Sequence, residues 1–158
     1  MLDNDFVEKS TNKNFLAIDP GKTVGFAWFN LNANNIEHVY GSQMDWINFL
    51  YSFREVSSTK DFEILIENYT VRTNTVAANL NKELLTAKII GVIEWYCRLN
   101  DIDYQFQPAG IGNEFFDKQR LKEIGLWVVG KEHARDAIRH GMWHLVFGRE
   151  GKEAFDYE

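Results

Sequence analysis

The sequence contains little cysteine or proline and no long uninterrupted apolar run. Its single cysteine, Cys97, excludes an internal disulfide and a thiolate metal cluster. The apolar neighbours Trp95 and Tyr96 mark Cys97 as a small side chain of the core. No stretch approaches the roughly 18 apolar residues of a membrane span, and the N-terminal residues lack the basic and apolar regions of a signal peptide. We therefore expect a cytoplasmic protein with no membrane partner.

An excess of basic residues is also absent, because the formal net charge is −6. On charge alone, such a protein is a poor partner for nucleic acid. Residues 1–10 and 149–158 each carry a net charge of −2, however, which leaves only −2 for all the residues between them. Divalent cations bound to some of these carboxylates would make the body of the protein neutral or positive. The net charge therefore does not exclude a nucleic-acid partner.

The pattern of apolar residues predicts one domain over residues 1–158, with an ordered core at about 14–147 and polar, acidic ends. Five segments have the composition of strands: Phe15–Ile18, Val24–Phe29, Ile36–Tyr40, Phe62–Ile66 and Tyr104–Gln107. Four segments have the pattern of helices: one that begins at a capping box in Ser42–Asp45, then about Thr75–Leu99, Phe116–Ile124 and about Glu132–Phe147. This order predicts an α/β fold in which helices cover a mixed sheet.

Periodicity predicts an apolar face on the first helix and on the long second helix. In the first, the predicted core side chains are Trp46, Ile47, Leu50 and Phe53. In the long helix they recur every three or four residues: Val76, Leu80, Leu84, Ala87, Gly91 and Trp95.

Two strands end on a carboxylate, Asp19 after the first strand and Glu67 after the fourth. Strand ends are where ligands and catalytic groups collect in α/β sheets. Pro20 favours an extended conformation at Asp19 and so fixes the direction of its carboxylate. Each residue alone is compatible with an ordinary turn. Two adjacent carboxylates repel each other, however, unless a divalent cation lies between them.

The last helix carries a stripe of polar residues. At 100° per residue one face contains His133, Asp136, Ala137, His140 and His144. The adjacent face, which we expect to pack on the sheet, contains Ala134, Ile138, Gly141 and Leu145. A partly exposed helix that is rich in histidine by chance is the alternative explanation of this stripe. Oxygen ligands with one imidazole suit Mg²⁺ or Mn²⁺ better than Zn²⁺.

These residues together resemble a known family. Asp19-Pro20-Gly21 after the first strand, Glu67 after the fourth and His133-x-x-Asp136 on the last helix are similar to the motifs of RuvC-type Holliday-junction resolvases. The ending from His133 to His140 is closest to the small viral members. The resemblance implies an RNase H-like fold, with a five-stranded mixed sheet whose first three strands are antiparallel. It also implies an endonuclease that acts on branched DNA such as four-way junctions.

The resemblance further implies a site for two Mg²⁺ or Mn²⁺ ions and no small-molecule cofactor. Asp19 is the expected bridging ligand, and Glu67 the expected ligand of the ion at the leaving group. Asp136 and His133 would serve the ion that activates water, with His133 either as a ligand or as a proton-transfer group. All four residues are therefore expected to be catalytic.

DNA contacts are expected around this acidic centre. Tyr69 would stack on bases at the branch, and Arg72 would meet a phosphate, although an ordinary solvated loop is equally compatible with the segment Asn68–Asn74. The expected DNA-binding residues are Lys22, Tyr69, Arg72, Asn74, Lys82, Lys88, Lys118, Lys131 and Arg135. The two-fold symmetry of a four-way junction predicts a homodimer, with the contact on the long helix around Thr86–Tyr96.

Other functions remain open from the sequence. Asp19-x-Gly21-x-Thr23 also resembles the first phosphate loop of sugar kinases and actin-like ATPases, but a second such loop is missing. A ribonuclease or flap nuclease with the same fold is a second alternative. A non-catalytic module that binds branched DNA is a third.

Overall fold

A computed structural model describes residues 14–32, 35–57, 62–69 and 77–155. Its five strands are β1 (Phe15–Asp19), β2 (Thr23–Asn32), β3 (Asn35–Asp45), β4 (Glu63–Glu67) and β5 (Tyr104–Gln107). Its four helices are α1 (Trp46–Ser57), α2 (Ala77–Leu99), α3 (Lys118–Glu123) and α4 (Glu132–Phe155). The order of elements agrees with the sequence prediction, although β2 and β3 are longer than predicted.

The strands form one sheet in the order β3-β2-β1-β4-β5. The pairs β1–β2 and β2–β3 are antiparallel, while β1–β4 and β4–β5 are parallel. The predicted mixed sheet with three antiparallel strands at its start is confirmed. Because β1, β4 and β5 run in the same direction, their carboxyl ends meet at one edge of the sheet.

Successive side chains of the central strands point to opposite faces of the sheet. In β1, Leu16 and Ile18 belong to one core with α1 and α2, whereas Phe15 and Ala17 belong to a second core with α3 and α4. β4 alternates in the same way, with Leu65 in the second core. The sheet is therefore covered on both faces, and every second strand residue is directed towards α4.

The start of α1 differs from the prediction. Ser42 is a buried residue of β3, and Asp45 takes the capping role, because its carboxylate Oδ2 accepts a hydrogen bond from the Ile47 amide at 3.0 Å. Strand pairing with β2 continues to Asp45 and overrides the capping-box pattern. The buried face also shifts, since Phe49 is in the core while Ile47 is exposed.

The predicted core face of α2 is wrong. Its buried side chains include Ile89, Ile93 and Cys97, whereas Trp95 is 60% exposed. The predicted residues that the structure describes, from Leu80 onwards, lie on the exposed side; they are Leu80, Leu84, Ala87, Gly91 and Trp95. Val76 lies outside the described residues. Both sides of α2 are apolar, so periodicity alone did not identify the one that meets the sheet.

The predicted sheet-facing side of α4 is confirmed. Ala134 and Ile138 are buried, and Leu145 packs against the same core. Gly141 lies so close to the sheet that a Cβ there would overlap the Phe29 ring. Among the described residues, no helix has the length and apolar character needed to cross a bilayer.

Candidate active site

Asp19 and Glu67 are neighbours at the carboxyl edge of the sheet. The β1–β4 register pairs Ile18 with Ile66, so the next residue on each strand is one of the two acids. By alternation both belong to the face that carries Ala17 and Leu65, which is the face covered by α4. The predicted convergence of these two carboxylates therefore follows from parallel pairing.

His133 lies directly against Asp19, with 2.9 Å between His133 Nδ1 and Asp19 Oδ2. Gly25 makes this approach possible. It is the partner of Asp19 in the β1–β2 register, and a Cβ at this position would overlap the main chain of His133. Gln43 on β3 fixes the same turn of α4, because its Oε1 accepts a 3.0 Å hydrogen bond from the His133 amide.

Asp136 completes a three-residue cluster one turn further along α4. One potential ligand atom from each of Asp19, His133 and Asp136 lies within 4.8 Å of the other two. Arg139 holds Asp136 in place, since its Nη1 donates to Asp136 Oδ1 at 2.8 Å while its Nε donates to the Phe116 carbonyl at 2.9 Å. His133 and Asp136 were both predicted for this site, whereas the support that Arg139 gives to Asp136 was not.

Glu67 is held by a residue that the sequence analysis did not assign to the site. His140 Nε2 lies 2.7 Å from Glu67 Oε2, and His140 Nδ1 lies 2.8 Å from Gln107 Oε1. Gln107 ends β5 beside Glu67 at the end of β4. Its position in the sequence could have identified Gln107 as a site residue. Like Asp19 and Glu67, it is a polar residue at the carboxyl end of a parallel strand.

The third histidine of the stripe lies elsewhere. His144 Nε2 is 3.9 Å from Glu63 Oε2, and Glu63 begins β4 rather than ending it. Gln105 Nε2 donates to Glu63 Oε1 at 2.8 Å and lies 3.2 Å from His144 Nδ1. The stripe therefore divides into residues at the carboxyl edge of the sheet and one residue, His144, near the opposite edge.

The electrostatics of the site are unfavourable without a cation. The pKa of Asp19 is raised from 3.8 to about 7, first because the carboxyl is buried and second because the Glu67 charge repels its ionised form. The hydrogen bond and charge of His133 act in the opposite direction, and Asp136 adds a smaller repulsion. Acids that repel each other in a buried position are stabilised by a bound divalent cation.

The donor set fits such a cation. Carboxylate oxygens from Asp19 and Asp136 with one imidazole are ligands that suit Mg²⁺ or Mn²⁺. Each of the three acids uses one oxygen for a side chain of α4, and these hydrogen-bonded pairs are Asp19 with His133, Asp136 with Arg139 and Glu67 with His140. The second oxygen of Asp136 and of Glu67 has no hydrogen bond from the described residues.

The predicted DNA-binding residues lie in several places. Arg72 and Asn74 are outside the described residues. Tyr69 is partly buried against the core, and Lys131 Nζ donates to Ser42 Oγ at 3.0 Å. The predicted cations that are exposed on the turn before β2, on α2 and on α3 are Lys22, Lys82, Lys88 and Lys118.

Arg135 belongs to a group of cations around one indole, here named the Trp127 cluster. It consists of Trp127, Lys118, Lys122 and Arg135. The cationic groups lie 5.5 Å, 5.9 Å and 4.3 Å from the ring centroid for Lys118, Lys122 and Arg135 respectively. Arg135 also donates from Nη1 to the Val128 carbonyl at 2.9 Å. Arg135 belongs to the first turn of α4, as His133 does, so the cluster lies near the start of that helix.

The order of the strands, the two helical layers and the acids at the carboxyl edge define an RNase H-like fold, as the sequence resemblance implied. RuvC of Thermus thermophilus in complex with a Holliday-junction substrate superposes with a TM-score of 0.62 at 12% identity, over 88% of this chain and 96% of that chain. The fowlpox virus resolvase in complex with Holliday-junction DNA gives a TM-score of 0.57 at 13% identity, over 83% of this chain and 97% of that chain.

No protein-family model and no curated protein sequence matches the chain. The shared fold therefore rests on the structures.

Proposed function

We propose that this chain is a single-domain, metal-dependent endonuclease that cleaves branched DNA such as Holliday junctions, a crossover-junction endodeoxyribonuclease. The observation that carries the proposal is the convergence of Asp19, Glu67, His133 and Asp136 at one edge of an RNase H-like sheet. Both similar structures described above are complexes with Holliday-junction DNA. The proposal thus combines a donor set for divalent cations with a fold that supports this activity.

The chemistry follows from the residues present. When bound, two Mg²⁺ or Mn²⁺ ions would supply Lewis acidity at the phosphodiester and lower the pKa of the attacking water. Asp19 would be a ligand of both ions, because it lies beside Glu67 on one side and against His133 on the other. We assign Asp136 and Glu67 as the further carboxylate ligands. The rigid sheet and α4 hold these groups before substrate arrives, which preorganises the site.

His133 also has a proposed role in proton transfer. Its Nδ1 is engaged by Asp19, its side chain is 42% exposed, and its Nε2 has no hydrogen bond from the described residues. A ring nitrogen without a hydrogen-bond partner, on a partly exposed side chain at the active site, is suited to transfer a proton. We therefore keep both roles for His133, as a ligand and as a proton-transfer group.

The Trp127 cluster is the proposed contact with the phosphate backbone. Residues 118–135 contain five lysine or arginine side chains and two glutamates, in a chain whose net charge is −6. Lys118, Lys122 and Arg135 form no ion pair with a carboxylate among the described residues. Cations without acidic partners provide the sequence-independent attraction that DNA binding requires.

A homodimer is part of the proposal. The exposed side of α2 presents several large apolar side chains: Leu80, Leu84, Val92, Trp95 and Leu99. Between α1 and α2 lies an open groove of about 480 Å³ whose lining includes Trp46, Leu50, Val92 and Trp95. An apolar surface of this kind on a soluble protein marks an interaction site. A second copy would cover it and pair two active sites for the two nicks that a symmetric junction needs.

A nuclease assay with synthetic substrates tests the function. The purified chain is incubated with a four-way junction, a flap, a plain duplex and structured RNA, each with Mg²⁺, Mn²⁺ or Ca²⁺. We expect symmetric cleavage of the junction with Mg²⁺ or Mn²⁺, and binding without cleavage with Ca²⁺, which is a poorer activator of water. Preferred cleavage of RNA or of flaps would replace the junction as substrate. Binding to the junction without cleavage under any metal would identify a non-catalytic module.

A further inference from the structure

His140 is almost completely enclosed and connects two strands of the sheet through α4. It is 2% exposed, although it carries two polar ring nitrogens. Both nitrogens have partners, Gln107 Oε1 at 2.8 Å and Glu67 Oε2 at 2.7 Å. Burying an imidazole without partners is costly, so this pairing accounts for its presence in the core. The result is a buried chain of hydrogen bonds, Gln107–His140–Glu67, that ends on an acid of the candidate site.

The direction of the bond to Glu67 follows from the donors available. A carboxylate only accepts hydrogen bonds, so Nε2 must carry the hydrogen when Glu67 is ionised. If His140 is neutral, Nδ1 accepts from the Gln107 amide, whose nitrogen and oxygen exchange places by a flip. If His140 is doubly protonated, Nδ1 donates to the Gln107 oxygen. In both forms of the ring His140 donates from Nε2 to Glu67.

We propose that His140, oriented by Gln107, is a positioning residue that holds Glu67 through Oε2 and thereby presents the other oxygen, Oε1, to a divalent cation next to Asp19. This inference rests on the proposed function, because it gives Glu67 a ligand role. Glutamate has a long side chain whose rotamer freedom would otherwise be lost on binding the cation. A hydrogen bond from a rigid, buried ring restricts that freedom in advance, as the outer partners of metal ligands generally do.

His144 shows what the arrangement at His140 adds. Both histidines lie on the same side of α4, and each is close to a glutamate of β4. His144, however, is 3.9 Å from Glu63 at the start of the strand, whereas His140 makes a 2.7 Å contact with Glu67 at its end. His144 is therefore a matched control, since it has the same chemistry on the same helix but lies away from the acidic site.

The test measures Mn²⁺ binding to the full chain without DNA, by calorimetry or by the electron paramagnetic resonance signal of free Mn²⁺. We expect His140→Ala to weaken Mn²⁺ affinity by about 10- to 100-fold, the usual effect of losing an outer partner of a metal ligand. His140→Gln, which keeps an N–H donor near the position of Nε2, should restore most of the affinity. His144→Ala should leave the affinity unchanged.

A double-mutant cycle separates positioning from a general structural effect. If His140 acts through Glu67, the effect of His140→Ala should disappear in a Glu67→Gln background. An equal loss of affinity in both backgrounds would overturn the inference. If His140→Ala does not fold, Gln107→Ala tests the same chain of hydrogen bonds, and an unchanged Mn²⁺ affinity in that variant would also overturn it.

Asp19→Asn distinguishes failure of this inference from failure of the proposed function. If the wild-type chain does not bind Mn²⁺, or if Asp19→Asn binds it as tightly as wild type, the metal site itself is wrong. If Asp19→Asn loses Mn²⁺ while His140→Ala keeps the wild-type affinity, the site stands and the role of His140 alone is wrong.

Discussion

His133 Nδ1 lies 2.9 Å from Asp19 Oδ2, although 114 positions separate the two residues in the chain. The contact joins the end of β1 to the first turn of α4. It depends on Gly25, the strand partner of Asp19, where any side chain would displace the helix. The candidate active site is therefore built by the packing of α4 on the sheet, and its chemistry is open to test residue by residue.

Asp19→Asn should abolish cleavage and preserve or strengthen DNA binding. The substitution removes the central ligand of the proposed metals, and it also removes a negative charge that faces phosphate. The cleavage rate in Mg²⁺ and the affinity for the junction in Ca²⁺ should be measured on the same preparation. Cleavage at the wild-type rate would show that the proposed site is wrong.

Asp19 should also give the metal-free protein a specific pH dependence of stability. Its pKa is about 7 in the folded state and 3.8 in the reference state, so between these values the unfolded chain binds fewer protons than the folded chain. The stability that Asp19 contributes is complete below about pH 4 and is lost as the pH rises through 7.

Thermal unfolding in a chelator tests this sign. The difference in Tm between wild type and Asp19→Asn isolates the Asp19 contribution from that of other groups. As the pH rises from 4 to 8, we expect the Tm of the variant to rise relative to that of wild type. Mn²⁺ at pH 8 should raise the Tm of wild type and not that of Asp19→Asn, because the cation favours the ionised carboxylate. A pH-independent difference would contradict the raised pKa.

His133→Ala should lower the cleavage rate by about 100-fold or more, the scale of a lost general acid–base group. His133→Asp should retain part of the activity, since a carboxylate replaces the imidazole as a ligand. His144→Ala is the control, because His144 contacts Glu63 away from the acidic cluster. Single-turnover rates on a junction substrate give the comparison. Equal losses for both alanine variants would mean that the histidine stripe is structural.

The double variant Lys118→Ala with Lys122→Ala should weaken junction binding and reduce its salt dependence. Each lost phosphate contact lowers the slope of log K against log salt by about 1. Arg98→Ala is a matched control, because Arg98 is paired with Glu94 at 3.0 Å on α2. Binding titrations at several salt concentrations measure both slopes. An unchanged slope in the double variant would place the phosphate contacts elsewhere.

Trp95→Glu should convert the proposed homodimer to a monomer. The Trp95 side chain is 60% exposed on the apolar side of α2. In the proposed dimer a glutamate at this position would be buried without a partner for its charge. Val146→Glu is the control, as an exposed apolar residue of α4 outside the groove. Light scattering at micromolar concentration, with and without junction DNA, gives the oligomeric state. A monomeric wild type under both conditions would contradict the dimer.

The sequence alone was sufficient for the succession of strands and helices along the chain and for the acids that end two of the strands. The apolar runs of β1 and β4 and the carboxylates Asp19 and Glu67 that follow them are local features, and parallel pairing then places both acids at one edge. The 3.6-residue period likewise placed His133 and Asp136 on one side of the last helix, where the structure has them together. Local pattern was enough here because the end of an apolar run and the period of a helix depend only on residues that are close in the chain.

Tertiary structure decided the rest. α2 is apolar on two sides, so only docking on the sheet determined that Ile89 and Ile93 are buried while Trp95 is exposed. The helical period placed His140 and His144 on the same side of α4 and did not distinguish them. The path of the helix across the sheet brings His140 to Glu67 and His144 to Glu63. A helical period fixes the side of a helix on which a residue lies, whereas the residue it meets depends on where that helix crosses the strands.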